Sequence, residues 1–597
     1  MKRPRLLLLT AVIACLSSCS LKQIVEDVFS PSKTNNYDDD PITEITNDTS
    51  SNEYDKEIEE EVVETPEDYA GENTTSIDAA GNYYFEGEVG AISVKKNLEV
   101  YLFLNGVTIS CDTGIAIEGK DSSKIHIVLQ NGSTNTIVND FADKNAIHSK
   151  GDLYISGDGT LNIESKQKNA IKANDIFVSG EKVTVNATAA NHAISGRSIT
   201  VNKSTINVVA KAKDGFSLEC DKVDAFTKEQ GFAYFVDAKI SSDTYGDGIQ
   251  AGSYVYISGG EMNITTHGEF VSYSTANMST YELDTDDFKF VKNGTSYKRV
   301  AKDEIRNLTS SYYALTQSTK GIKVGAIEDT NGDDITTGDY EISIAHLANV
   351  TINSTDDCIH TNYGKVTLDS CNLELDTFDD GVAADYDLSV NNASIHITSS
   401  YEGLEGANVT INGADTNIVS YSGDDGINAA SDLVSSTTIT INDGYLRIYA
   451  SGDGIDANTA LYIKGGTVIV EGPGSGNGSL DADKIYFQGG IVFACSTSGM
   501  TEQMTATQNT FVYQGSTMST NKVISITDSS NNPLFSYTLK QSCNQLIFSH
   551  SGLEIGSSYN IMSDSSKITT ISMTSSLTKV GSSGGGQMGG GGHGGMH

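Results

Sequence analysis

Carboxylates recur through the second half of this 597-residue chain at a spacing that suggests metal chemistry. Asp356-Asp357, Asp379-Asp380, Glu402, Asp424-Asp425 and Asp453 each precede one small residue and then an aliphatic one: Ile359, Val382, Leu404, Ile427 and Ile455. The aliphatic positions are 23, 22, 23 and 28 residues apart, with Leu480 a further 25 on. One residue beyond each stand His360, Ala383, Glu405, Asn428, Asp456 and Asp481. If successive repeats stack about 4.8 Å apart, as paired strands do, carboxylates of neighbouring repeats come within reach of each other. Bare, such a ladder repels itself. A cation between repeats would relieve the repulsion. Ca2+ accepts six to eight oxygens at about 2.3–2.6 Å, whereas Mg2+ demands a tighter octahedron. The spacing therefore predicts Ca2+ ligation by Asp356, Asp357, Asp379, Asp380, Glu402, Glu405, Asp424, Asp425, Asp453 and Asp456. Asp214 and Asp247 hold the same place upstream, and Lys320 interrupts the series. The competing explanation is turn chemistry, because Asp-Gly is common in turns and Asp caps its own backbone. Turns, however, do not require paired acids in consecutive repeats.

The elements that position these acids follow from the same repeat. The aliphatic position extends back through Ile322, Ile249, Phe216, Ile194, Ile171 and Ile147 to Ile117, thirteen rungs in all. A period near 23 with three strand-like stretches is one coil of a right-handed parallel β-helix. In one coil, Val382, Leu388, Val390, Ile395 and Ile397 alternate with polar residues and point inward. No segment of the repeat region sustains a 3.6-residue period, so the fold class is all-β. Composition agrees: 58 Gly, 6 Pro, 28 Tyr and no Trp suit short strands and tight turns. The β-helix is expected over residues 75–500, with an insertion at about 267–318 whose FKFVKNGTSYKRV reads as a hairpin turning at Asn293-Gly294. DTNGDD at 329–334 reads as an exposed acidic turn. After Met500 the rhythm stops, and residues 501–580 are expected to form a small antiparallel β-rich cap over the open end. Residues 581–597 are a Gly-rich tail.

A formal net charge of -39 excludes nucleic acid as a partner, since little here neutralises a phosphate backbone. It attracts multivalent cations instead. At the N-terminus, Lys2, Arg3 and Arg5 precede an apolar stretch too short to span a bilayer. It ends at Leu16-Ser17-Ser18-Cys19, which resembles a bacterial lipobox. Residues 1–18 are thus expected to be a lipoprotein signal peptide and Cys19 the lipidated residue, placing the protein outside the cytoplasm, lipid-anchored in the cell envelope and exposed at its surface. Residues 19–74, with DDD at 38–40 and EIEEEVVETPED at 57–68, read as an acidic, solvated tether. The other cysteines of the mature body, Cys111, Cys220, Cys358, Cys371, Cys495 and Cys543, show no zinc-type spacing and are expected as free thiols.

The strings TSIDAAGNYYFEGEV, LEVYLFLNGVTIS, STDDCIHTN, FDDGVAAD, SYEGLEG, GDDGINAA, SGDGIDAN and IKGGTVIVEGP resemble a family of bacterial calcium-binding β-helix carbohydrate-binding domains over about residues 75–500. That resemblance implies a pectate-lyase-like fold and binding of plant cell-wall polysaccharides, cellulose-like or pectic. Cys358 departs from the family's small residue after the acid pair. The expected function is non-catalytic, calcium-dependent polysaccharide binding by a monomer. Tyr363, Tyr386, Tyr401 and Tyr421, with Tyr445 and Tyr449, are candidate sugar-stacking rings in a chain without Trp. Two alternatives stand beside it. A calcium-dependent lyase needs a basic residue to take a uronate's α-proton, for which Lys323, Lys365, Arg447 and Lys464 are the candidates. A structural or adhesive rod needs calcium only for stiffness.

Overall fold

The computed structural model describes residues 43–48, 63, 66, 68–273, 288–293, 296–301, 312–473, 477–497 and 503–581. Among them every regular element is a strand. The signal peptide, Cys19 and all of the Gly-rich tail beyond Gly581 lie outside the described residues.

The thirteen expected rungs form one continuous parallel row. Ile117 pairs with Ile147, and in-register pairing continues without a break to Ile455 and Leu480. Ile92 extends the row upstream. The result is a parallel β-solenoid of about 15 turns. Val382, Leu388, Val390, Ile395 and Ile397 are all fully buried, as their alternation requires. Stacked on like residues of adjacent coils, each contributes about 1.5–3 kcal/mol relative to exposure.

The small residue before each rung has a steric cause. A Cβ on Gly403 would lie 2.3 Å from the carbonyl oxygen of Gly426, and one on Gly426 would lie 2.6 Å from that of Gly454. Coil-to-coil approach, rather than backbone conformation, selects glycine here. Cys358 takes the equivalent place as a buried thiol donating towards the carbonyls of Ile352 and Asp376.

Several boundaries move. The first strand, Gly71–Glu72, pairs with Tyr83 and Tyr84, so the solenoid begins before residue 75. Residues 43–48 lie inside the stretch whose composition suggests a solvated tether, yet Ile45 is buried and its backbone exchanges two hydrogen bonds with the Asn372 carboxamide. Parallel pairing persists past residue 500, to Met504–Ala506. Beyond it, Cys543–Ser549 runs antiparallel against Ile491–Ser496 of the last coil, and Thr510–Met518 runs antiparallel against the other edge of Cys543–Ser549. Val523–Asp528, Pro533–Thr538, Ser558–Ser563 and Ser566–Ser572 make a four-stranded antiparallel sheet. Its core includes Phe493, Phe511, Ile524, Tyr537 and Phe548. In the insertion the described strands Glu269–Tyr273, Phe288–Asn293, Ser296–Ala301 and Tyr312–Gln317 form a four-stranded antiparallel sheet, in which Phe288–Asn293 and Ser296–Ala301 are the expected hairpin. Its turn residues, Gly294 among them, lie outside the described residues. All six described cysteines are free, and all but Cys220 are buried.

Candidate metal centre

Except for Glu402, whose carboxylate accepts the Asn428 side chain, the acid two residues before a rung performs a backbone task with one oxygen. Asp214 Oδ1 accepts the Asp247 N–H (2.9 Å), and Asp247 Oδ1 accepts that of Lys320 (2.8 Å). Asp357 Oδ1 accepts the Asp380 N–H (3.0 Å), Asp380 Oδ1 that of Glu402 (3.0 Å), and Asp425 Oδ1 that of Asp453 (2.5 Å). Turn capping is therefore real. It does not need charge, because Asn145 Oδ1 accepts the Asn169 N–H in the same way three coils before Asp214 in the row (3.4 Å).

The carboxylates also converge. Three sets each place ligand oxygens within 4.8 Å of one another: Asp356, Asp357 and Asp379; Asp380, Glu402 and Glu405; Asp425, Asp453 and Asp456. Nine of the ten acids singled out by spacing fall in these sets. Asp424 joins none, although it lies close enough to Asp425 to oppose its ionisation.

The three sets differ electrostatically. In the first, Lys320 Nζ lies 2.9 Å from Asp356 Oδ1 and 2.6 Å from Asp357 Oδ2, and His360 Nδ1 is 2.7 Å from Asp357 Oδ2. Burial opposes ionisation of Asp357, but Lys320 and His360 outweigh it and hold the carboxyl well below its usual range. In the other two, burial and neighbouring carboxylates act together. They push Asp380, Glu402 and Asp425 well above the usual range. Asp453 is raised to about 7 by burial and then by Asp481 and Asp424, against the Gly478 N–H that lowers it. Asp247 rises to about 6, chiefly from burial.

Asn428 joins the second and third sets. In register it pairs with Glu405 on one side and Asp456 on the other. Its Nδ2 donates to Glu402 Oε2 (2.9 Å), while its buried Oδ1 has no hydrogen-bond partner. Spacing alone had marked this residue as one of the row but not as a ligand, since a carboxamide is ordinary in turns.

The basic candidates separate as clearly. Arg447 is buried, with its guanidinium on Tyr449 Oη (2.6 Å) and Tyr537 Oη (3.3 Å), beside Glu471. Lys365 lies 3.5 Å from Glu341 and 3.6 Å from Asp339. Lys464 stands over the Tyr462 ring at 5.7 Å. Lys323 alone among these four shares the outward row of the acidic ladder, between Gln250 and His360.

The four proposed sugar-binding tyrosines do not make one platform. Tyr363 and Tyr386 flank Asp385, whose carboxylate accepts the Tyr363 N–H at 2.7 Å. Tyr401 belongs to the acidic turn itself, its N–H on the Asp379 carbonyl. Tyr421 stacks face to face on Tyr449 at 4.7 Å. A second stack, Tyr462 on Tyr486 at 4.8 Å, escaped the reading by spacing. Equal residues one period apart were the available signal. DTNGDD is turn chemistry: Asp329 Oδ1 accepts the N–H groups of Asn331 and Asp333 (2.7 and 3.0 Å).

Comparison with known proteins adds three findings. A family model described as carbohydrate-binding domain-containing protein matches residues 71–381 and 370–568. A relative from Acetivibrio thermocellus with that same description is 28% identical over 131 residues, covering 19% of this chain and 46% of its own length. The chain thus spans about half the length of that curated relative. A solved structure, described as the polysaccharide lyase-like protein from C. thermocellum in a gadolinium derivative, is 23% identical. The match covers 32% of this chain and 80% of that one, with a TM-score of 0.28.

Proposed function

This chain belongs to the family of carbohydrate-binding domain-containing proteins, and from that premise we propose that it is a non-catalytic, calcium-dependent binder of plant cell-wall-type polysaccharide, tethered at the bacterial cell surface. Family membership supports the polysaccharide. The calcium rests on one observation: carboxylates occupy a turn position that Asn145 fills without charge, and they converge with neighbouring acids in sets. The donor set fits. Oxygens no more than 4.8 Å apart are near enough to share one cation, and the partnerless Asn428 Oδ1 supplies a neutral oxygen of the kind Ca2+ accepts. Asp380, Glu402 and Glu405 would hold one ion; Asp425, Asp453 and Asp456 would hold another. A bound ion supplies positive charge through which a strongly acidic chain recruits uronates or hydroxyls. The tether rests on the lipobox-like Leu16-Ser17-Ser18-Cys19.

A lyase has one observation in its favour, the place of Lys323 in the outward row beside His360. Incubating the protein with polygalacturonate, pectin and soluble glucans, with calcium and with chelator, separates the readings. Calcium-dependent retention without unsaturated product supports the binder. Product formation abolished by Lys323→Ala would establish the lyase. Retention on no polymer would leave a calcium-stiffened rod.

A further inference from the structure

Lys320 stands two residues before Ile322, the place that Asp247 and Asp357 hold before Ile249 and Ile359 on the neighbouring coils. A lysine there would ordinarily extend its ammonium into water, because burying an uncompensated charge is costly. This one folds inward. Its side chain is 15% exposed, and Nζ reaches Asp356 Oδ1 at 2.9 Å and Asp357 Oδ2 at 2.6 Å. Those two acids and Asp379 form the first convergent set. The ammonium therefore lies, supplied by the chain itself, among the oxygens of a convergent acidic set.

The substitution also changes the backbone relay. Without a carboxylate at 320, the Asp357 N–H turns to Asp356 Oδ1 at 2.8 Å. Downstream, among the described residues, Asp380, Glu402, Glu405, Asp425 and Asp453 form no ion pair with a Lys or Arg, and the row through Glu405 carries Ala383, Asn428 and Asp456. The sets differ in build as well: Asp356, Asp357 and Asp379 all precede their rungs, whereas Glu405 and Asp456 follow theirs, and it is the first set that holds the Lys320 ammonium.

We propose that Lys320 is a tethered cation that occupies the first acidic set in place of a metal ion, and that it thereby limits metal loading to the second and third sets. The proposal rests on the calcium reading of the ladder. It makes Lys320 the residue that sets stoichiometry. It also makes the coils around the first set independent of calcium, while those from Asp380 to Asp456 depend on it.

The test is calcium counting by equilibrium dialysis and elemental analysis on the full chain, with Lys320→Gln and Lys320→Arg beside the native protein. Native and Lys320→Arg protein should bind the same number of ions, and Lys320→Gln one more. An equal count for Lys320→Gln and native protein overturns the proposal. So does a Lys320→Gln chain that fails to fold even in millimolar calcium, because the ion then cannot replace the ammonium. A native protein that binds no calcium sinks the calcium reading itself, an outcome distinct from native binding with no gain on substitution.

Discussion

Asp453→Asn separates turn chemistry from metal ligation because the two make opposite demands on one side chain. Asp453 Oδ1 accepts the Gly478 N–H, a task an amide oxygen performs equally well, as at Asn145. Its charge is another matter. The carboxyl is raised from 3.8 to about 7, about three units, and each unit is 1.36 kcal/mol, so ionised Asp453 costs the metal-free protein up to roughly 4 kcal/mol at pH 8. Relaxation and water entry reduce that figure, and a gain of about 1–3 kcal/mol is the realistic expectation for Asp453→Asn in chelator. In saturating calcium the sign reverses, because the variant loses a charged ligand while the native ladder gains the ion. Thermal melts at pH 8 of native and variant protein, each in chelator and in 10 mM calcium, give the four values required. A variant less stable than native protein in both conditions would refute the reasoning, since the carboxylate would then be serving only local hydrogen bonds.

The pH dependence carries the same signature. Asp453 and Asp247 have folded-state values of about 7 and about 6, above the ordinary 3.8, so their contribution is present below about pH 4 and lost as pH rises through 6–7. In chelator the melting temperature should fall between pH 5 and pH 8, and calcium at 100 times its dissociation constant should restore about 2.7 kcal/mol per site; a flat chelator profile contradicts this. Gly426→Ala should destabilise by about 1–3 kcal/mol with or without calcium, because its Cβ would lie 2.1 Å from Ile448 Cγ2 and 2.6 Å from the Gly454 carbonyl oxygen. A denaturant midpoint equal to native would show that the coils separate at little cost. Cys19→Ala should move the protein from the membrane to the soluble fraction, and continued sedimentation with membranes would contradict the lipobox reading.

The coil register was legible because parallel stacking puts like residues over like: thirteen aliphatic positions spaced by sequence all proved to be one row. The acidic ladder was legible for the same reason. Lys320 was visible as an interruption, but a row cannot tell a lysine that reaches water from one that folds onto Asp356 and Asp357. Arg447 looked available as a base by composition alone. Its burial against Tyr449 and Tyr537 depends on the cap, whose strands return from nearly a hundred residues later. Ile45 illustrates the opposite limit. An acidic, aromatic-poor neighbourhood reads as solvated, yet one isoleucine with backbone bonds to Asn372 is enough to dock it. The tyrosines were chosen one by one, whereas a solenoid stacks rings coil on coil, so that Tyr421 faces Tyr449 and Tyr462 faces Tyr486.

The central claim is that the convergent carboxylates hold calcium. Anomalous diffraction from crystals grown in millimolar calcium measures it directly. Peaks are expected among Asp380, Glu402 and Glu405, and among Asp425, Asp453 and Asp456, with none at Asp356, Asp357 and Asp379, where the Lys320 ammonium already lies. A map with no peak in either of the two downstream sets would contradict the account.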